Sequence, residues 1–158
     1  MKKLLLSACL CCAMAFGAAA QQNSKSIFSV QPLWGPVGHN LASYYYLPDI
    51  ETYYDIPQKK FIYWENNQWQ FSSTLPERFK DYDLFKGYKV VLNRPHPYYN
   101  FEAHKARYDR FKDQLNRQVS IQESTSPKYF VVEGHPKGPK MQASEPKHSD
   151  SNLKVAGN

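Results

Sequence analysis

Asn66-Asn67 stands between two segments of alternating side chains, FIYWE (Phe61 to Glu65) and QWQFS (Gln68 to Ser72), and no other feature constrains the fold as tightly. Asparagine tolerates the positive φ of a two-residue hairpin loop. With these two residues as the loop, Trp64 falls opposite Trp69 and Ile62 opposite Phe71. Side chains alternate faces along a strand. Ile62, Trp64, Trp69 and Phe71 therefore share one face, and Phe61, Tyr63, Gln70 and Ser72 the other. A second turn, around Pro57 to Lys60, pairs Tyr54 and Ile56 with Phe61 and Tyr63. The result is a three-stranded meander with aromatic residues on both faces.

The cysteines explain why a sheet would need so many rings. The chain has 158 residues and three cysteines, all within the first twelve positions. MKKLLLSACLCCAMAFGAAA opens with Lys2 and Lys3, continues as a short apolar run and ends in small residues, the layout of a secretory signal (residues 1–20) cleaved after Ala20. The run is too short for a comfortable membrane span. A lipoprotein reading through Leu6-Ser7-Ala8-Cys9 is the less favoured rival, because the apolar run continues past Cys9. Cleavage leaves 138 residues without cysteine, so an exported, periplasmic domain must hold itself together without disulfides. Cross-strand aromatic pairs, each adding about 0.5–1.5 kcal/mol beyond area burial, meet that need.

Charge sets further limits. Removing Lys2 and Lys3 from the 20 Lys and Arg leaves 18 against 14 Asp and Glu, a formal charge of +4. The excess is spread along the chain, with no basic block of the kind a nucleic-acid groove requires.

Residues 21–42, with PLWGPVGHN, read as an extended lead-in. A small β-rich domain follows over residues 43–133. Within it LFKGYKVVL (Leu84 to Leu92) reads as a strand with Gly87 at a turn or bulge. Residues 100–119 read as a helix capped by Asn100, with Tyr108, Phe111, Leu115 and Val119 as its apolar stripe. PKYFVVE (Pro127 to Glu133) reads as a late strand. From Gly134 to Asn158 the Pro-, Gly-, Ser- and Lys-rich composition predicts a disordered tail. The fold class expected is mainly β (α+β): a small twisted antiparallel sheet, one amphipathic helix and that tail.

The stretch from Ser43 to Asn100 resembles a group of short, exported Bacteroidota proteins of uncharacterised function. The pattern shared with them is tyrosines before PDI, then YYD, a turn, FIY, a turn, a Trp, LP and YDL…GYKVVL; QPLWGP and PKYFVVEGHP are also similar. The resemblance implies an envelope location and one conserved-pattern unit. It brings no catalytic or ligand residues.

Chemical motifs are sparse. His39, His96, His104, His135 and His148 form no metal-ligand spacing, and no phosphate loop, dinucleotide fingerprint or nucleophile elbow occurs. No catalytic residue, metal or cofactor is expected. Asp81 and Asp83 would share one face of an extended segment, as paired acids do, but Asp also forms turns, and KDYDLFKG reads as a turn. Asp49 and Asp55 read as turn residues beside Pro48 and Pro57. The aromatic residues have two readings: core, or a stacking platform for sugar rings or a peptide. The candidate platform is Tyr44, Tyr45, Tyr46, Tyr54, Tyr63, Trp64 and Trp69, joined by Tyr98 and Tyr99. The function expected is a non-enzymatic periplasmic or envelope-associated binding protein with a glycan or protein partner; the alternative is a small cell-wall hydrolase or hydrolase inhibitor.

Overall fold

The computed structural model describes residues 30–139. The predicted signal sequence lies outside the described residues. Five antiparallel strands form one sheet in the order β4-β3-β2-β1-β5: β1 Tyr44–Leu47, β2 Thr52–Asp55, β3 Lys60–Glu65, β4 Gln68–Ser72 and β5 Val90–Leu92. One helix, α1 (Phe101–Tyr108), packs against it.

The hairpin has the register its sequence implies. Asn66 and Asn67 take φ of 51° and 59°, the left-handed pair that a two-residue loop requires. Trp64 pairs with Trp69 and Ile62 with Phe71. In the next ladder the register differs from the expected one: the turn spans residues 56–59 and not Pro57 to Lys60, so Tyr54 pairs with Phe61 instead of Tyr63, and Ile56 lies past the end of β2, where its N–H donates to the Ser43 carbonyl at 3.0 Å. Asp55 is the turn residue: its Oδ1 accepts from the Gln58 N–H at 2.9 Å.

Both faces of the two central strands are covered. On one face Tyr45, Leu47, Tyr54 and Phe61 are buried under the lead-in and under the chain that follows β4. Trp34 is the centre of this cover, with its ring 5.4 Å from Tyr45 and 4.9 Å from Tyr54 in edge contacts. On the other face Tyr46, Tyr53 and Ile62 meet Tyr98, Phe101 and Tyr108. A third cluster joins Ile121, Tyr129 and Val132 to Leu33 and Val37 of the lead-in.

Further sequence expectations are corrected. The helix does not run over 100–119: α1 ends at Tyr108, and a 3-10 turn, Asp109–Phe111, finishes it. Asn100 occupies the cap position, but its side chain makes no capping hydrogen bond. Tyr108 packs on the sheet and Phe111 stacks on Tyr88 at 4.4 Å, whereas Leu115 and Val119 are exposed. Tertiary hydrogen bonds outweigh helical periodicity here. Asp113, at φ 58°, donates its N–H to Asp49 Oδ1 at 2.7 Å. The Gln118 amide imitates a strand neighbour, accepting from the Lys89 N–H at 2.8 Å and donating to the Lys89 carbonyl at 2.9 Å.

The stretch Pro127 to Glu133 is not a strand. Pro127–Tyr129 is a 3-10 helix, and Tyr129 and Val132 turn inward while Val131 is exposed. Between Leu84 and Leu92 only Val90–Leu92 pairs as a strand. Gly87 is buried against the Tyr82 ring, where a Cβ would collide with the phenol.

The packed chain also continues past Glu133. His135 is buried against Phe130, their rings 4.9 Å apart. Residues 140–158 of the predicted tail lie outside the described residues.

Candidate functional site

The β3–β4 hairpin is longer than the strand beside it. β2 pairs only with Lys60 to Ile62, so the far half of the hairpin, with Trp64 and Trp69, projects past it. The helical segment meets this projection. His96, at φ 46°, turns the chain into the 3-10 helix Pro97–Asn100, which buries Tyr98 and leaves Tyr99 outside.

Trp64, Trp69, Tyr98, Tyr99 and Phe101 thereby line an open groove of about 610 Å³. Trp69 is its hub: Trp64, Tyr98 and Phe101 each lie 5.3 Å from it, all in edge or tilted contacts. Phe71 reaches Tyr98 edge-on at 5.7 Å. Trp64, Phe71 and Tyr99 keep 43%, 50% and 74% of their surface exposed.

Trp64, Phe101 and Glu102 also border a second hollow of about 390 Å³, which carries Asp49, Glu51, Arg78 and Lys105. Charges of both signs meet there. Glu51 pairs with Lys112 at 3.0 Å and with Lys105 at 3.3 Å. Burial raises the Glu51 pKa, but the hydrogen bonds from Lys112 and Lys105 outweigh it, and the carboxyl ends below its ordinary value. Arg78 is paired with Glu65 and lies 5.0 Å from the Phe79 ring centre.

The seven platform residues read from the sequence fall on both faces of the sheet. Tyr45, Tyr46 and Tyr54 are buried core residues, and burial pushes each phenol pKa up. Tyr45 donates to Gln31 Oε1 at 2.7 Å. Tyr63 packs with the core of the opposite face, near Arg78. Tyr44 is half-buried beside Asp55 and Arg94. Of the seven, only Trp64 and Trp69 come together at an accessible groove. Tyr98 and Tyr99 join them. Phe101 and Phe71 complete the surface; Phe71 carries the same strand parity as Trp64 and Trp69, the signal that could have nominated it, whereas no local pattern marks Phe101.

Asp83 lines a hollow of about 500 Å³ that also holds Glu123. A hydrogen bond from Lys86 lowers the Asp83 pKa, and bonds from Ser120 lower that of Glu123. Both stay ionised near neutral pH, whereas a general acid needs a raised pKa. Asp83 is a turn residue that accepts from the Phe85 N–H at 2.9 Å. Asp49 joins two segments, accepting from Tyr82 Oη at 2.5 Å and from the Asp113 N–H. Among the described residues no three His, Cys, Asp or Glu side chains gather as metal ligands, and no helix is long and apolar enough to cross a membrane.

No family model, curated protein or solved structure matches the chain.

Proposed function

We propose that this chain is a non-enzymatic binding protein of the cell envelope, and that its ligand lies in the Trp64–Trp69–Tyr99 groove. The signal-like N-terminus read from residues 1–20 supports the location. One observation carries the binding site: three large aromatic side chains stay exposed beside a groove, while the other rings of the same face are covered. Exposing a large apolar side chain forgoes about 1.5–3 kcal/mol of burial. Several such rings side by side mark an interaction surface.

The chemistry fits a ring with one apolar face and a hydroxyl-bearing edge. Indole and phenol faces stack on the apolar side of a pyranose. Asn100 and Glu102, on the same rim, supply a donor and acceptors for its hydroxyls. The nearby carboxylates and cations largely neutralise one another, which suits a neutral polyol better than a strongly charged peptide.

The test is tryptophan fluorescence of the signal-free protein titrated with soluble peptidoglycan and envelope polysaccharide fragments. Saturable quenching that Trp64→Ala and Tyr99→Ala abolish, with melting temperature retained, supports the reading. Quenching unaffected by both substitutions, or no quenching by any saccharide, overturns it.

A further inference from the structure

We propose a second, separate site on the other side of α1: an oxyanion-binding hollow formed by Arg94, Arg107, His104 and Asn100, which takes a carboxylate, phosphate or sulfate group. The hollow measures about 320 Å³ and lies between the end of β5 and α1. Two arginines, a histidine and two asparagines are among its lining side chains, and no carboxylate is.

Two lysines near α1 are matched. Lys105 pairs with Glu51 and Glu102, and Lys112 with Glu51 and Asp109. Neither Arg94 nor Arg107 has a carboxylate within 4.0 Å among the described residues, although Arg107 lies 5.7 Å from the Tyr108 ring centre. Two guanidinium groups facing one hollow repel each other unless an anion joins them. Their forked N–H groups match the geometry of an oxyanion.

The backbone under Arg94 is anchored. Asn93 Oδ1 accepts from the Ser43 N–H at 3.0 Å and its Nδ2 donates to the Leu41 carbonyl at 3.3 Å, while Pro95 restricts the residue before it. Such pre-ordering lowers the entropic loss on binding. His104 is also held, with its Nδ1 hydrogen-bonded to Tyr53 Oη at 2.9 Å. Burial, then Arg107 and Arg94, lower the His104 pKa, which places both positive charges within electrostatic reach of the imidazole.

Asn100 and Ala103 border both this hollow and the aromatic groove. The anion therefore has two possible sources, a free ion or an acidic group on a saccharide held in the groove. The experiment separates them. The isotope-labelled, signal-free protein is titrated with inorganic phosphate, and in parallel with glucuronate against glucose, while the Arg94, His104 and Arg107 resonances are followed. Saturable shifts with phosphate, lost in the Arg94→Gln/Arg107→Gln variant at unchanged melting temperature, support a free-ion site. Glucuronate binding at least about tenfold tighter than glucose, and weakened by both that variant and Trp64→Ala, supports an acidic saccharide. Shifts that never saturate, or that persist in the double-arginine variant, overturn the proposal. Both arginines are exposed, so their replacement leaves the core intact. The phosphate arm does not involve the aromatic groove, so it stands or falls independently of the saccharide reading.

Discussion

Trp69 stands directly opposite Trp64 across the β3–β4 hairpin, their rings 5.3 Å apart at 69°, yet only Trp69 is roofed. Tyr98 and Phe101 close over it, while 43% of Trp64 remains exposed. One cross-strand pair thus contains a packing residue and a surface residue.

That asymmetry sets unequal outcomes for truncation. Trp69→Ala is expected to destabilise the fold by about 2–4 kcal/mol, below the top of the range for a large core ring. Trp64→Ala is expected to lower stability by less than about 1 kcal/mol. Because the rings touch, the double variant should lose less than the sum. Guanidinium unfolding of the four proteins measures this. Equal losses in the two single variants would mean that Trp64 is core and leave the groove without its outer wall.

Tyr46 is fully buried, and its hydroxyl has no hydrogen-bond partner among the described residues, whereas the neighbouring Tyr53 hydroxyl bonds His104. Tyr46→Phe removes an unpaired polar atom and is expected to leave the melting temperature unchanged or raised. Tyr53→Phe breaks a bond and should destabilise by about 1 kcal/mol. Thermal unfolding of both decides it; a larger loss for Tyr46→Phe would contradict the packing described.

Glu51 ties the β1–β2 turn to α1 and to the chain beyond it through Lys105 and Lys112. Its folded pKa lies below the ordinary 4.5, so its contribution is fully present above that value and disappears as the pH falls through the folded pKa. Glu51→Gln should therefore lower the melting temperature at neutral pH, and the gap to the native protein should narrow on acidification below 4.5. A gap that stays constant with pH would assign the effect to packing instead of charge.

Lys89 is shifted in the same direction, but there burial opposes the charged form, whereas the partners of Glu51 favour it. It is buried, with Nζ donating to the Phe85 carbonyl at 3.1 Å, and burial pushes its pKa down from 10.5 to about 8. Between those values the unfolded chain binds more protons than the folded one, so stability from this group rises with pH. Native protein should gain stability relative to Lys89→Met as the pH is raised from about 8 toward 10.5. Parallel pH profiles would show that the amine is solvated in the folded state.

Chain length offers a further check. A protein ending at Pro139 keeps the His135–Phe130 contact and the His135 N–H bond to the Val132 carbonyl at 3.0 Å; one ending at Glu133 loses both. The shorter chain is expected to melt lower. Identical melting curves would return the domain boundary to Glu133.

Local chemistry determined the hairpin. Asn66-Asn67 prescribes a left-handed two-residue loop, and strict alternation then sets the register, because a slip by one residue would reverse every side chain. The mainly β class and the presence of a helix after Tyr99 were legible for similar reasons: each depends on residues only a few positions apart. The helix length was not legible. Its end is decided by Asp49, Glu51 and Lys89, which lie more than twenty residues away from their partners after Tyr108 and hold that chain in extended and left-handed conformations. Nor could the sequence sort the rings. Tyr44, Tyr45 and Tyr46 are identical in chemistry; Tyr45 and Tyr46 are both buried because the lead-in, with Trp34, covers one face and α1 the other, while Tyr44 stays half-buried at the start of β1. Trp64 and Trp69 share a face and a chemistry as well. What divides them is where Tyr98 and Phe101 come to rest, and that depends on long-range packing between segments whose meeting no local pattern encodes.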